Sequence, residues 1–166
     1  MAADHFSEQV SPDDEHSELP VDPDTPRPLH LQPTALLWVF CGGIVGTGLR
    51  YWLEELWPAP SGGWPWATFG INLSGAFILG ALLEGLALLG ADHGWRRRSR
   101  LLFGTGVCGS YTTYSTFALE ISNLGHGGAI GLAIAYAATS VVGGVLTAWL
   151  GIVVAGSLFR GTGDVS

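Results

Sequence analysis

The chain has 166 residues, of which 48% are hydrophobic and only 13% are charged, and its mean hydropathy is +0.35. Soluble domains carry about 25% charged residues, so this composition, with its 25 glycines, argues against a soluble domain and places the chain among membrane proteins. The net charge of −7 arises within residues 1–33, which hold eight acidic residues and one arginine. The acidity therefore says nothing about the partners of residues 34–166.

Residues 1–33 form an acidic N-terminal tail that contains six of the nine prolines. The tail has no hydrophobic periodicity, and we predict that it is disordered. It has no basic segment ahead of an apolar core, so a cleaved signal peptide is not expected. The predicted transmembrane domain occupies residues 34–160, and residues 161–166 are predicted to form a short C-terminal tail.

Four apolar segments follow the tail, each long enough to supply the roughly 20 residues that a helix needs to cross a bilayer. They cover residues 34–53, 64–89, 101–119 and, inside a longer uncharged run, 127–159. The connections between them are short, and the Pro and Gly residues of "WPAPSGGWPW" are expected to break the helix. The sequence therefore predicts an all-α protein with four transmembrane helices in contact with membrane lipid.

The connection "ADHGWRRRSR" between the second and third segments decides the predicted orientation. It holds four of the basic residues, Arg96, Arg97, Arg98 and Arg100. Because positively charged loops stay in the cytoplasm, this connection and both termini are predicted to be cytoplasmic in the plasma membrane. A nucleic-acid-binding patch is the weaker interpretation, since membrane segments flank the arginines on both sides, and no nucleic-acid partner is expected.

Small residues recur at four-residue spacing in every predicted span. Such pairs allow helix backbones to approach closely in a membrane bundle. The pairs are Gly42 with Gly46, Gly70 with Ser74, Ala76 with Gly80, Thr105 with Gly109, Gly127 with Gly131, and Gly143 with Thr147. They predict tight helix packing, and four short helices also suggest an oligomer.

The stretch "GSYTTYSTF", residues 109–117, places Thr112, Thr113, Ser115 and Thr116 in a span without any charge. Hydroxyls that bond back to the preceding helical turn would account for one or two of them, but not for all four. Polar side chains inside the hydrocarbon usually face a cavity or a partner, and irregular backbone occurs there only when it is covered. We therefore predict a break at 109–113 whose freed carbonyls can bind a cation.

Two further features of the spans admit two interpretations each. Tyr114 and Phe117 share a helix face, where they either pack in a core or present their positive ring edges to an anion. Asn72 is the only amide in the second span, and Gly75 and Ala76 leave space beside it. Its amide either bonds another helix or faces a polar pathway, and the sequence favours neither.

Three motifs together resemble the signatures of the CrcB/Fluc fluoride channels. They are "GGIVGTGLRYWL" at 42–53, "FGINLSGAFILG" at 69–80 and "GVCGSYTTYSTFALE" at 106–120. The resemblance implies a four-helix subunit with a broken third helix, paired antiparallel into a dual-topology dimer with two fluoride pores. Such a protein is a passive channel, not an enzyme, and it exports fluoride from the cytoplasm and so reduces its toxicity.

The resemblance also implies roles for individual residues. A structural sodium ion at the dimer centre would be held by the backbone carbonyls of Gly109 and Thr112, and Arg50 would be structural. The fluoride pathway would contain Asn72, Tyr114, Phe117, Ser115, Thr116, Ser140, Glu120 and Tyr136. One departure is that Tyr114 occupies a position where the family usually has Phe, which adds a hydroxyl to the site.

The partner of this subunit is left open between a second copy and a homologue. Dual topology requires a weak charge bias, whereas four arginines in one connection are a strong one. The arginines therefore favour a subunit of one fixed orientation that forms a heterodimer with an oppositely oriented homologous subunit, and a homodimer is the alternative.

Two rival functions each rest on one or two residues. A small four-helix proton-coupled multidrug exporter would need a carboxylate near mid-membrane, and Glu84 lies instead near the end of its span. An intramembrane hydrolase would pair Ser110 or Ser115 with His126, which we expect in a loop after the third span. A purely structural subunit would leave the hydroxyl cluster without a role.

Overall fold

The computed structural model describes residues 32–160, with the side chain of Arg160 excepted. The described residues do not include 1–31 of the acidic tail or the C-terminal tail at 161–166. The prediction that the acidic tail is disordered therefore concerns residues outside the described range. The described chain is helical, with α1 at Pro33–Leu56, α2 at Trp66–Leu88, α3 at Trp95–Ser99, α4 at Gly109–Tyr111, α5 at Tyr114–His126 and α6 at Ile130–Arg160. Between α3 and α4, Arg100–Cys108 forms a π-helical segment, so that residues 95–111 are helical without interruption.

Three of these helices are long and apolar enough to cross a membrane: α1, α2, and Ile130–Phe159 of α6. They correspond to the first, second and fourth predicted spans. The third predicted span, 101–119, is instead divided between residues 95–111 and α5. The all-helical membrane class is thus confirmed, whereas four crossings remain a prediction.

The arginine-rich connection is shorter than the sequence suggested, because helix begins at Trp95. Gly90 and Gly94 have φ of 113° and 61°, a backbone conformation that other residues rarely adopt, and they form the turn after α2. The Arg96 guanidinium donates to the Leu89 carbonyl, and Arg100 pairs with Asp92. These contacts stabilise the turn. The arginines themselves have a high helix propensity, which favours a helix directly after the turn.

Helix α2 packs mainly on α6, and α1 packs on the π-helical segment and α4. At both contacts a glycine faces backbone: a Cβ on Gly80 would clash with the Ala148 carbonyl, and a Cβ on Gly42 would clash with the Leu102 carbonyl. The predicted close approach is confirmed at these positions and at Gly46. At Gly131 a Cβ would meet nothing within 4 Å, so this glycine does not serve such a contact within the chain.

Large apolar side chains cover the outside of the bundle. Phe40, Val145 and Leu158 are 66%, 65% and 67% exposed, while the largest fully buried side chains are Tyr136, Ile71 and Thr68. Such a surface is unstable in water and suits lipid or another apolar partner. The buried side chains are few and mostly apolar, and one buried cluster joins Leu124 of α5 to Ala133 and Tyr136 of α6.

Candidate functional site

The helix that starts at Trp95 stops at Tyr111, and α5 starts at Tyr114. Between them Thr112 (φ −73°, ψ 153°) and Thr113 (φ −142°, ψ 125°) have extended backbone. The interruption lies at the C-terminal end of the predicted range 109–113, because Gly109 is still helical. No proline or positive-φ glycine occurs at this point, so the extended conformation must be stabilised by other contacts.

Asn72 on α2 provides the main contact that stabilises the interruption. Its Oδ1 accepts from the Thr113 N–H at 2.9 Å, and its Nδ2 donates to the Thr113 carbonyl at 3.0 Å. A single side chain thereby satisfies both backbone groups of a residue that has left the helix. Of the two interpretations that the sequence left open, bonding to another segment is observed. One of the two amide hydrogens remains for another acceptor.

Thr113 in turn begins α5. Its Oγ1 accepts from the Thr116 N–H at 3.1 Å, which is the contact of a helix N-cap. The same oxygen lies 3.2 Å from the Ser115 Oγ and 3.1 Å from the Thr116 Oγ1. Part of the hydroxyl cluster therefore serves to start a helix.

The hydrogen bonds that Asn72 and Thr113 accept from backbone N–H groups change the environment of the carbonyls that were predicted to bind a cation. In a continuous helix, the Gly109 carbonyl accepts from the Thr113 N–H, and the Thr112 carbonyl accepts from the Thr116 N–H. Here those two N–H groups donate to the Asn72 and Thr113 side chains. Both carbonyls consequently lose their usual helical donor, which leaves oxygen lone pairs for another ligand.

A cavity of about 360 Å³ opens beside the interruption, and we call it the Asn72 cavity. Its lining contains no acidic or basic side chain and consists of Asn72, Gly75, Ala76, Leu79, Thr112, Thr113, Tyr114, Phe117, Ser140 and Val141. The Ser140 Oγ is buried and has no hydrogen-bond partner among residues 32–160. A buried hydroxyl without a partner is unfavourable, so it is available to a ligand.

Aromatic rings extend from the cavity lining, where Tyr114 and Phe117 lie, to Tyr136 outside it. The ring centroids of Tyr114 and Phe117 are 6.3 Å apart, and those of Phe117 and Tyr136 are 5.2 Å apart, both pairs being tilted. Tyr136 is fully buried, whereas Tyr114 is 80% exposed. Phe117 therefore lies between a buried ring and one that the chain leaves uncovered.

Glu120 lies one turn beyond Phe117 and is tied to two hydroxyls. The Thr68 hydroxyl donates to its Oε1 at 2.7 Å, and the Tyr136 hydroxyl donates to its Oε2 at 2.7 Å. Thr68 was not singled out from the sequence, although it lies four residues before Asn72 and so on the same face of α2. That spacing was the signal that could have identified it.

Arg50, near the end of α1, contacts the helix just before the interruption. Its Nε donates to the Ser110 carbonyl at 3.3 Å, and its guanidinium lies 3.7 Å from Glu54. Ser74, which the sequence marked only as a small packing residue, and Tyr111 join α2 to the same turn with a 3.0 Å contact between their hydroxyls. The last turn before the interruption is thus held from two sides.

The structure divides the predicted residues into four groups. Asn72, Thr112, Tyr114, Phe117 and Ser140 line one cavity. Ser115 and Thr116 contact the Thr113 hydroxyl, and Glu120 and Tyr136 form a separate hydrogen-bonded pair. Gly109 and Arg50 belong to the turn before the interruption and do not line the cavity.

The residues behind the rival functions are not arranged for those functions. His126 is in the last turn of α5 and not in a loop as predicted, and its Nδ1 lies 2.8 Å from the Ser122 carbonyl oxygen. Ser115 is eleven residues away on the same helix, or about 16 Å along its axis. Ser110 donates to the Gly106 carbonyl at 2.8 Å. Glu84 lies four residues before the end of α2, away from the Asn72 cavity.

Apolar helices of membrane-spanning length, together with a cavity that has no charged side chain in its lining, define an α-helical integral membrane protein. The sequence profile described as "CrcB-like protein, Camphor Resistance (CrcB)" matches residues 37–152. The chain belongs to this CrcB family.

Curated relatives support that assignment. The "Fluoride-specific ion channel FluC 1" of Cutibacterium acnes is 44% identical over 122 residues, which cover 74% of this chain and 85% of the relative. The "Fluoride-specific ion channel FluC 2" of Moorella thermoacetica is 45% identical over 126 residues, covering 75% of this chain and 99% of the relative. The "Fluoride-specific ion channel FluC" of Novosphingobium aromaticivorans is 41% identical over 131 residues, covering 77% and 98%. These relatives are ion channels by name, and none is named as an exporter of drugs.

Proposed function

We propose that this protein is a fluoride-selective passive channel that exports fluoride from the cytoplasm and reduces its toxicity. The observation that carries the proposal is the Asn72 cavity, which combines an amide, hydroxyls and aromatic rings without a charged side chain. The names of the relatives, which are fluoride-specific channels, point the same way.

Fluoride is small and strongly hydrated, so a pathway must replace its water shell with hydrogen-bond donors. The unpaired Ser140 hydroxyl and the second amide hydrogen of Asn72 are such donors. The edges of Tyr114 and Phe117 add partial positive charge without a fixed cation. Conduction requires binding that is strong enough for entry and weak enough for release, which an arginine or lysine in the cavity would oppose.

The hydroxyls outside the cavity extend the proposed pathway. Ser115 is exposed beside Thr113, and Thr116 follows it along α5. Glu120 and Tyr136 lie further along at the end of the pathway, where hydrogen bonds from Thr68 and Tyr136 occupy both carboxylate oxygens. Those bonds spread the negative charge of Glu120 and lower its repulsion of an approaching anion.

A structural sodium ion would fit the carbonyls of Gly109 and Thr112. Hard cations prefer oxygen ligands, and both carbonyls have lost their helical donors to side chains. When bound, the ion would supply positive charge near the pathway of an anion. Arg50 would hold the adjacent turn through the Ser110 carbonyl.

The proposed assembly is an antiparallel dimer of four-span subunits, each with a broken third helix made of residues 95–111 and α5. The exposure of Tyr114 and of the apolar faces of α1 and α6 supports a second subunit at the cavity. Non-helical backbone at membrane depth is tolerated only where protein or a water-filled cavity covers it, which also favours a partner at Thr112 and Thr113.

The four arginines before the third span favour cytoplasmic termini in the plasma membrane. A second copy of opposite orientation would form a homodimer, and a homologous subunit of opposite orientation would form a heterodimer. Fluoride accumulates in a cell when HF crosses the membrane from acidic surroundings and dissociates, and a passive channel lets it leave.

Fluoride efflux from liposomes containing the purified protein tests the proposal. We expect efflux that greatly exceeds that of empty liposomes and no comparable efflux of chloride. Fluoride retention equal to that of empty liposomes, even with a homologous subunit present, would contradict the proposed function. Efflux by the protein purified alone would show that a homodimer suffices.

A further inference from the structure

The four arginines near the start of α3 fall into two groups. The Arg96 guanidinium donates to the Leu89 carbonyl, and Arg100 forms an ion pair with Asp92. The side chains of Arg97 and Arg98, by contrast, make no hydrogen bond or ion pair with any of residues 32–160. Two of the four positive charges are therefore available to a further partner.

These two arginines line a common cavity of about 330 Å³, which we call the arginine cavity. Gln32, Thr34 and Trp38 at the beginning of α1 form its other side. The N-terminal end of a helix carries a partial positive charge, and α1 is 24 residues long. Two arginine side chains and the partially positive end of a helix thus lie around the same cavity. This positive charge suits a carboxylate-rich ligand.

The chain itself supplies such a ligand at this place. Residues 1–31 connect directly to Gln32, which lines the cavity, and they contain eight acidic residues against one arginine. The nearest acids in sequence, Asp24 and Asp22, are eight and ten residues before Gln32. Eight residues span at most about 28 Å when extended, so the tether keeps these carboxylates at a high effective concentration beside the cavity.

We propose that the acidic N-terminal segment, residues 1–31, binds in the arginine cavity of its own subunit through carboxylate contacts with Arg97 and Arg98. The proposal depends on the charge and connectivity of the segment and not on fluoride conduction, so the two can fail separately. The headgroup of an anionic lipid is the competing occupant. The tethered segment is favoured because its attachment point forms part of the cavity lining.

Fluorescence quenching in the full-length protein tests this contact, because Trp38 lines the cavity and quenches a bimane dye at short range. The dye is placed at Thr25→Cys, beside Asp24, after Cys41→Ala removes the exposed native thiol. In nanodiscs of phosphatidylcholine we expect quenched emission that Trp38→Phe restores. Raising the salt concentration from about 0.05 to about 0.5 M should also restore it, since exposed charges are then screened.

The arginines are tested by Arg97→Gln and Arg98→Gln, with Arg100→Gln, which is engaged by Asp92, as the matched control. Each test variant should lower the ratio of docked to released segment by roughly two- to fivefold, as expected for an exposed ion pair, and the control should change it less. A second variant replaces all eight acids of residues 1–31 by their amides and leaves residues 32–160 unaltered. This amide variant should restore the dye emission even if the arginine variants fail to fold.

Unchanged quenching in the arginine variants or in the amide variant would overturn the proposal. The lipid alternative is decided by nanodiscs containing phosphatidylglycerol. Quenching that persists there supports the segment as occupant. Loss of quenching in the unsubstituted protein on changing from phosphatidylcholine to phosphatidylglycerol would assign the cavity to lipid headgroups and would also overturn the proposal.

Discussion

Asn72→Asp changes one nitrogen to oxygen at the centre of the Asn72 cavity. The carboxylate can still accept from the Thr113 N–H, but its second oxygen replaces an Nδ2 that lies 3.0 Å from the Thr113 carbonyl oxygen. A hydrogen bond is thereby replaced by repulsion between two oxygens. Leaving that carbonyl without its donor should destabilise the folded protein by about 1–3 kcal/mol.

The larger expected effect of Asn72→Asp is on the anion. A negative charge about 4 Å from fluoride raises the energy of the ion by roughly 4 kcal/mol at an effective dielectric constant of about 20. Each 1.4 kcal/mol is tenfold, so the occupancy of the cavity should fall about a thousandfold. A fluoride electrode that follows efflux from liposomes measures this effect, with the amount of incorporated protein determined in parallel.

Asn72→Leu is the matched control, because leucine has the same branched arrangement of side-chain heavy atoms and loses both contacts with Thr113 without adding charge. We expect its efflux to lie between those of the unsubstituted protein and Asn72→Asp. If Asn72→Asp conducts as well as Asn72→Leu, the electrostatic reasoning is refuted. If both variants conduct like the unsubstituted protein, the assignment of the cavity to the fluoride pathway fails.

Three further substitutions, one of them with a control substitution, test other parts of the site and the fold. Thr113→Val removes the oxygen that accepts from the Thr116 N–H, and the loss of this cap should destabilise the protein by about 1 kcal/mol, seen as a lower midpoint of thermal unfolding; an unchanged midpoint would show that the cap is unimportant. Phe117→Ile removes a ring edge from the cavity, and we expect efflux to fall in the liposome assay; efflux equal to that of the unsubstituted protein would exclude the ring from the pathway. Gly80→Ala should destabilise the packing of α2 on α6 by about 1–3 kcal/mol. The control Gly131→Ala, whose Cβ meets nothing within 4 Å, should leave the unfolding midpoint nearly unchanged. Equal midpoints for the two variants would contradict the close contact of Gly80 with Ala148.

The long helices could be predicted from the sequence because their apolar runs match a simple length requirement. The predicted boundaries for α1 and α2 differ from the observed Pro33–Leu56 and Trp66–Leu88 by three residues or fewer. The hydroxyl-rich stretch was also sufficient to locate an interruption near Thr112 and Thr113. Composition and local pattern determine these features, since each depends on neighbouring residues of one segment.

Contacts between segments could not be predicted in the same way. The sequence left Asn72 undecided because its partner, Thr113, is 41 residues away, and nothing local indicates that pairing. The Thr68 contact with Glu120 was missed for the same reason, as 52 residues separate the two. The π-helical form of Arg100–Cys108 was also not predicted.

The interruption at Thr112 and Thr113 has a consequence for how the protein matures. Its own residues contain no proline and no left-handed glycine that would enforce it, and the side chain that stabilises it belongs to α2. A newly inserted chain whose second and third segments have not yet met therefore lacks both Asn72 contacts and has only the Thr113 cap to stabilise this bend. We expect residues 95–126 to enter the bilayer as one continuous helix and to acquire the interruption only when α2 packs beside them. The conformation proposed to conduct fluoride would then form last, after the helices have already been inserted into the membrane.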